Sequence, residues 1–341
     1  MKRSRALFLF VALAAVWLGV ALPVRADAPA TFEWNAMGTR VRLLVRGDDA
    51  KEAGAAMVAA ASNTLEAVEA QTSAFRAEGP LARLRETAGS GEWIDVGEPF
   101  EAALDLALDT ARASGDAFNP LVAPLLEAHG FARRPPGAPP PEDGAPPPET
   151  LLDLAAIERW PGACRLAVRG MALDFGGLAK GLGADHAAAA ARAAAPNDFL
   201  LDAGGTLVGR GTWTIGLRDP RGAPDAPPLR AFALSEGIAC ATSGNYERFV
   251  ETSDGTLVGH LFDPRTAQPA RSDVLQATAF APTAAEADAW STALFVLGPD
   301  AGREALAARP GLAAVWVLST PGGGVRLVPG GTAPQSAGKN P

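Results

Sequence analysis

The sequence predicts an α+β fold, and three observations carry that reading. Strand-like and helix-like hydrophobic periods both occur, but without strict βαβ alternation. At 341 residues, 48% hydrophobic and 20% charged, the chain has ample material for a large core. The apolar periodicity is broken once, by the proline-rich run Arg133–Thr150, and then resumes to about Pro329.

The chain opens with three basic residues (Lys2, Arg3, Arg5), the 17 apolar residues Ala6–Leu22, and Val24-Arg25-Ala26. That order is the layout of a Sec signal peptide cleaved after Ala26, which predicts a periplasmic protein. The alternative is an uncleaved inner-membrane anchor, since 17 residues is at the short edge of a membrane span. No cysteine lies near the cleavage site and no adjacent arginine pair precedes the apolar run, which argues against a lipid anchor and twin-arginine export. The expected organisation is a signal peptide at 1–26, a folded domain at 27–330 with a solvated proline-rich insertion at 133–150, and a disordered tail at 331–341.

Within the domain, Val41, Leu43 and Val45 alternate with Arg40, Arg42 and Arg46, the period of a half-buried strand. Helical patterns follow in "AGAAMVAAASNTLEAVEAQ" and "EAALDLALDTARASG". The second half reads as strands around "ACRLAVRGMALDF", "TWTIGLRDP", "LRAFALS" and "TLVGHLFDP", with helices after Lys180 and Thr283. Cys164 and Cys240 read as two buried thiols or a single bridge. A net charge of −8 and a single tyrosine disfavour a nucleic-acid partner.

Four stretches carry possible chemistry. In "LDFGGLAKGLGAD", Gly176-Gly177 precede an alanine-rich helix, so backbone N–H groups and the positive end of the dipole meet Lys180, which suits a phosphate. The same residues also describe a tight turn with a solvated lysine, and they form neither a P-loop nor a GxGxxG fingerprint. In "PTAAEADAWSTALFVLG", Thr283 and Glu286 form a capping box, and Trp290, Leu294 and Leu297 form the buried stripe. Asp288 and Thr292, four apart, share a face and offer oxygens to a hard cation; alternatively Thr292 bonds back to the Asp288 carbonyl. His260 shares a strand face with Val258 and Phe262 before the turn Asp263-Pro264-Arg265-Thr266, and reads equally as a structural residue. His129 and His186 supply no zinc cluster, and Thr242-Ser243-Gly244 lacks the GxSxG elbow, reading instead as a strand end with hydroxyls available to a ligand.

Taken together, these stretches resemble the ApbE family, the FAD:protein FMN transferases. The resemblance rests on "NAMGT" (Asn35–Thr39), "LDFGGLAKG" (Leu173–Gly181), "LLDAGGTL" (Leu200–Leu207), "ATSGNYERF" (Ala241–Phe249), "HLFDPRT" (His260–Thr266) and "EADAWSTALFVLG" (Glu286–Gly298), in the family's order. It implies mixed and antiparallel sheets with packed helices in two intimate T-fold-like lobes. It also implies transfer of FMN from FAD to a threonine or serine of an acceptor flavoprotein, forming a phosphodiester and releasing AMP. The acceptor would be an exported or membrane-bound respiratory subunit. By position, Mg²⁺ would be held by the Gly177 carbonyl, Asp288 and Thr292. Met37 would touch the flavin, Asp174 and Lys180 the nucleotide and its phosphates, and Leu261 and His260 the cofactor, with His260 and Asp263 near the reacting centre as candidate bases. Phe75 and Arg76 stand where the family has a serine-rich turn, and Ala117, Phe118 and Asn119 match a cofactor segment in which Asn119 replaces an aspartate. Two other functions fit the same residues: an FAD pyrophosphatase yielding FMN and AMP, and a non-catalytic flavin carrier.

Overall fold

The computed structural model describes residues 28–131, 149–223, 226–245, 249–251, 257–270 and 273–332. The signal-like segment, nearly all of the proline-rich insertion and residues 333–341 lie outside them. The framework is one eight-stranded sheet: β1 (Ala30–Ala36), β2 (Thr39–Val45), β3 (Phe199–Ala203), β4 (Thr206–Arg210), β5 (Ala239–Gly244), β6 (Val274–Ala281), β7 (Ala313–Ser319) and β8 (Val325–Gly331). The strands lie side by side in chain order, and each pairs antiparallel with the next. Among the described residues, five α-helices intervene between β2 and β3: α1 (Ala50–Thr72), α2 (Pro80–Thr87), α3 (Glu98–Ala113), α4 (Ala123–Ala128) and α5 (Ala179–Ala194). A sixth, α6 (Ala284–Ala307), links β6 to β7.

Period-two alternation gives the sheet two apolar faces. On β7, Ala314, Trp316 and Leu318 join the cluster built with α3 and α6, while Ala313, Val315 and Val317 pack under a separate hairpin, Trp213–Leu217 with Arg230–Leu234. On β3, Phe199 and Leu201 pack with α1 and α5, and Leu200 faces the hairpin. The two lobes are thus halves of one sheet: β1–β4 under α1 and α5, and β5–β8 under α3 and α6. Cys164 and Cys240 are buried free thiols, one in the α3/α6 cluster and one under the hairpin.

The periodic helices form where expected, and Thr283 Oγ1 accepts the Glu286 N–H at 3.1 Å, as the capping box requires. Several boundaries differ. Helix α6 is buried nearly all round from Ala284 to Phe295 instead of along one stripe, because the sheet, α3 and α5 all pack on it. Leu297 is only half-buried, since the helix breaks at Gly298 (φ 68°) before Pro299. Only Ala163–Leu166 of "ACRLAVRGMALDF" pairs as a strand; Met171, Leu173 and Phe175 continue as buried coil. The strand expected through His260 is broken, with Leu257–Gly259 in one hairpin, His260 at a bend, and Phe262–Asp263 in a second. The tail begins later than expected, because Gly331 still pairs with Ala313.

Candidate active site

The site forms where the buried coil Met171–Phe175 reaches the N-terminus of α5. Asp174 Oδ1 accepts the Gly176 N–H at 2.6 Å, while the Asp174 N–H donates to the Pro120 carbonyl at 2.8 Å. These bonds tie the glycine pair to the 116–120 segment. A Cβ on Gly177 would lie 3.0 Å from the Phe118 ring and 3.1 Å from Thr292 Oγ1, so the position is small because the space beside that hydroxyl is already shaped.

Helices α5 and α6 cap each other. Both oxygens of Asp185 accept the Ala284 and Ala285 N–H groups at 2.8 and 2.9 Å, supplying an anion to the start of α6. In return Asp288 of α6 accepts the Gly181 N–H of α5 at 3.0 Å. The approach depends on Gly181, where a Cβ would stand 2.3 Å from the Ala284 carbonyl oxygen. Burial raises the Asp185 carboxyl above its ordinary value, and the two N–H bonds oppose that shift.

This interlock sets Asp288, only 3% exposed, beside the first turn of α5. Lys180 Nζ lies 3.3 and 3.4 Å from its two carboxylate oxygens and 3.4 Å from the Gly176 carbonyl. The Asp288 carbonyl is taken by Ser291 Oγ at 2.8 Å, and Thr292 reaches it only at 3.4 Å. Thr292 Oγ1 instead lies 3.2 Å from Ser243 Oγ, which also bonds Ser291 Oγ at 2.7 Å. Among the described residues no three His, Cys, Asp or Glu side chains gather in a metal-binding group. The side-chain oxygens here are the Asp288 carboxylate and the Thr292, Ser291 and Ser243 hydroxyls, with the Gly177 backbone packed against Thr292, a hard-donor set that fits Mg²⁺ and not a thiol- or imidazole-seeking metal.

The remaining expected residues fall around this centre in three ways. Met37, in the left-handed turn joining β1 and β2 (φ 51°), has its N–H held by Glu69 Oε2 at 3.1 Å. Its sulfur would be 2.5 Å from a Cβ on Gly183, so the side chain rests on α5 near the site. An aromatic cluster joins the end of α4 to the segment after His260. The His129 ring meets Phe262 at a tilt (centroids 4.5 Å), and Phe131 packs edge-on against Phe262 (5.8 Å) with the His260 ring tilted 6.4 Å away. Leu261 is buried in the α3/α6 cluster, and its N–H donates to Asn245 Oδ1 at 3.2 Å. Asp263 receives both the Nε and Nη2 of Arg265, at 2.8 and 2.7 Å. The Arg265 guanidinium is held protonated chiefly by that bond, and Asp116 adds to the effect.

The 116–120 segment and the residues after α1 are held by contacts of their own. Asn119 is buried, its amide donating to the Leu152 carbonyl and accepting the Leu121 N–H, at 2.9 and 2.8 Å. Its side chain therefore braces the 116–120 loop from inside; Ala117 is buried beside it, and Phe118 presents its edge to Gly177. Phe75 is 53% exposed after α1, and Arg76 pairs with Glu66 at 2.5 Å. Sequence reasoning missed Asp185, Gly181 and Ser291, whose roles arise from contacts between α5, α6 and β5. It also left His129 without a context; the sequence signal was its neighbour Phe131. Glu127, one turn earlier on α4, is raised by burial and, to a smaller extent, by the nearby Asp174.

The model of the ApbE family matches residues 37–316. An FAD:protein FMN transferase of Treponema pallidum is 34% identical over 277 residues, covering 74% of this chain and 75% of the relative. One from Salmonella typhimurium is 29% identical, covering 85% of each. The ApbE protein of Thermotoga maritima superposes with a TM-score of 0.73 at 27% identity, over 87% of this chain and 96% of that one. The flavin transferase ApbE of Vibrio cholerae shares the fold, with a TM-score of 0.72 at 19% identity, over 89% and 97%. The chain belongs to the ApbE family.

Proposed function

We propose that the protein is an FAD:protein FMN transferase. The observation that carries this reading is the convergence of the buried Asp288 carboxylate, the Thr292 hydroxyl, the Gly177 backbone and Lys180 at one helix N-terminus. A pyrophosphate needs positive charge on its non-bridging and leaving oxygens, and this is the place in the chain that offers it. Asp288, Thr292 and the Gly177 carbonyl would hold Mg²⁺, which when bound supplies positive charge to the pyrophosphate oxygens.

FAD would lie with its pyrophosphate across the α5 N-terminus and its flavin toward Met37. A threonine or serine hydroxyl of the acceptor attacks the phosphorus nearest riboflavin, the pyrophosphate P–O bond breaks, and AMP leaves. The product is a phosphodiester. Asp263 has both oxygens committed to Arg265, so we assign proton acceptance from the hydroxyl to His260 and a positioning role to Asp263. Asp174, Lys180 and the aromatic cluster orient the donor.

The charged, apolar and small-residue order of residues 1–26 supports a periplasmic site of action, on an exported or membrane-bound flavoprotein subunit. N-terminal sequencing of the protein recovered from periplasm and inner membrane separates cleavage after Ala26 from retention as an anchor. Activity is tested with FAD, Mg²⁺ and candidate acceptor proteins. Covalent flavin fluorescence on a denaturing gel supports transfer. Free FMN and AMP with every acceptor would make the protein a pyrophosphatase, and unchanged bound FAD would make it a carrier.

A further inference from the structure

Lys180 stands between two anions that it cannot serve at once. In the structure its ammonium is nearly equidistant from both oxygens of Asp288, at 3.3 and 3.4 Å. The Asp288 side chain is 4% exposed and the Lys180 side chain 29%. A carboxylate this deeply buried requires a countercharge, and apart from the Gly181 N–H the ammonium provides it. The contact is nonetheless loose: the two donor–acceptor distances exceed those of a tight charged pair, and the ammonium also reaches toward the Gly176 carbonyl at 3.4 Å, on the glycine turn.

We infer that Lys180 is an exchangeable internal cation. It occupies Asp288 while no metal is bound, and it is displaced toward the glycine turn when a divalent cation takes the carboxylate. This rests on the reading above, in which Asp288 is a Mg²⁺ ligand and the pyrophosphate lies at the α5 N-terminus. Two cations sharing one buried carboxylate repel each other strongly at low effective dielectric. Without nucleotide, Lys180 therefore opposes the metal. With nucleotide, the displaced ammonium finds a second anion in the pyrophosphate, and the opposition becomes cooperation. Metal and FAD affinities are coupled through this one side chain, and by linkage each strengthens the other by the same factor.

The test is calorimetric titration of the full-length protein with Mg²⁺, checked with Mn²⁺ by electron paramagnetic resonance, in the presence and absence of FAD. Lys180→Met is expected to bind Mg²⁺ about tenfold more tightly than the wild type when FAD is absent. It is also expected to lose most of the enhancement that FAD confers. Lys180→Arg keeps the charge and should keep the weak metal affinity of the FAD-free protein. Thermal unfolding gives a second readout: metal-free Lys180→Met should melt below the wild type, and Mg²⁺ should raise its midpoint more. An FAD-free Lys180→Met protein whose Mg²⁺ affinity equals or falls below the wild type overturns the exchange while leaving the metal site standing. Failure of both proteins to bind Mg²⁺ or Mn²⁺, with or without FAD, overturns the metal site and the exchange together.

Discussion

Two cation–carboxylate pairs among the expected site residues are built in opposite ways. Arg265 grips Asp263 through two guanidinium nitrogens at 2.7 and 2.8 Å, on a partly exposed turn where the arginine side chain is 39% accessible. Lys180 meets Asp288 at 3.3 Å, with the carboxylate almost fully buried. The tight pair lies where water screens it and contributes little to stability, so its value is geometric: it fixes the turn that follows His260. The loose pair lies where charge is costly, so its cation is needed, and its looseness leaves the carboxylate open to exchange. Burial and tightness are therefore separate design variables here, one setting how much a charge matters and the other how readily its partner can change.

The largest expected effect tests the buried side. Asp288→Asn keeps the shape of the side chain but removes the charge, and covalent flavin transfer should fall on the order of 10³-fold. Circular dichroism should show the fold retained, since Lys180 can move its ammonium into water. Transfer that remains Mg²⁺-dependent at wild-type rate would show that Asp288 is not the metal ligand.

The exposed side is tested by Arg265→Ala. With Asp263 released, the turn after His260 should lose its register and transfer should fall by about tenfold. The unfolding midpoint should change little, as expected for an exposed pair. An activity loss matching that of Asp288→Asn would erase the distinction between the two pairs, and a large drop in midpoint would make the Arg265 contact structural.

The same contrast explains what was legible in the sequence. Helices α1 and α3 are written in local periodicity, and the start of α6 in the Thr283 box, so these elements follow from residues close in the chain. Asp288 and Thr292 were visible as a pair because helical spacing puts them on one face. Their environment was not visible: the lysine beside Asp288 lies 108 residues away in the chain, and the bonds from Asp185 to α6 span 99 and 100 residues. His260 was misread as part of a continuous strand because its neighbours alternate in hydrophobicity, while the interruption depends on two separate hairpin pairings. The packing of Asn119 was equally hidden, because Leu152, the acceptor for its amide, lies on a distant segment.

Asp185 bears on whether the buried pair depends on the α5–α6 interlock. Asp185→Ala leaves the Ala284 and Ala285 N–H groups without their acceptor at the start of α6, at a cost of about 2 kcal/mol. Denaturant unfolding measures that loss. Because the interlock also aligns Asp288 with Gly181, Mg²⁺ affinity should weaken in the folded variant; unchanged affinity would show that α6 keeps its register without the cap.

The smallest expected effect comes from a half-buried carboxyl on β3, and it separates burial from function. Asp202, on β3, accepts the Gly205 N–H at 2.8 Å, and burial raises its carboxyl above the ordinary value. A raised carboxyl stabilises the fold below the unfolded-state pKa of about 3.9, and that contribution is lost as pH climbs through the raised native value. Asp202→Asn keeps an oxygen for Gly205 but cannot ionise. Relative to the wild type, its stability should therefore gain with rising pH across that window and stay level above it, in urea unfolding measured from pH 4 to 7. Transfer activity should not change. A variant that instead loses stability as pH rises would mean that the ionised Asp202 is favoured in the fold, and that the Gly205 N–H outweighs its burial.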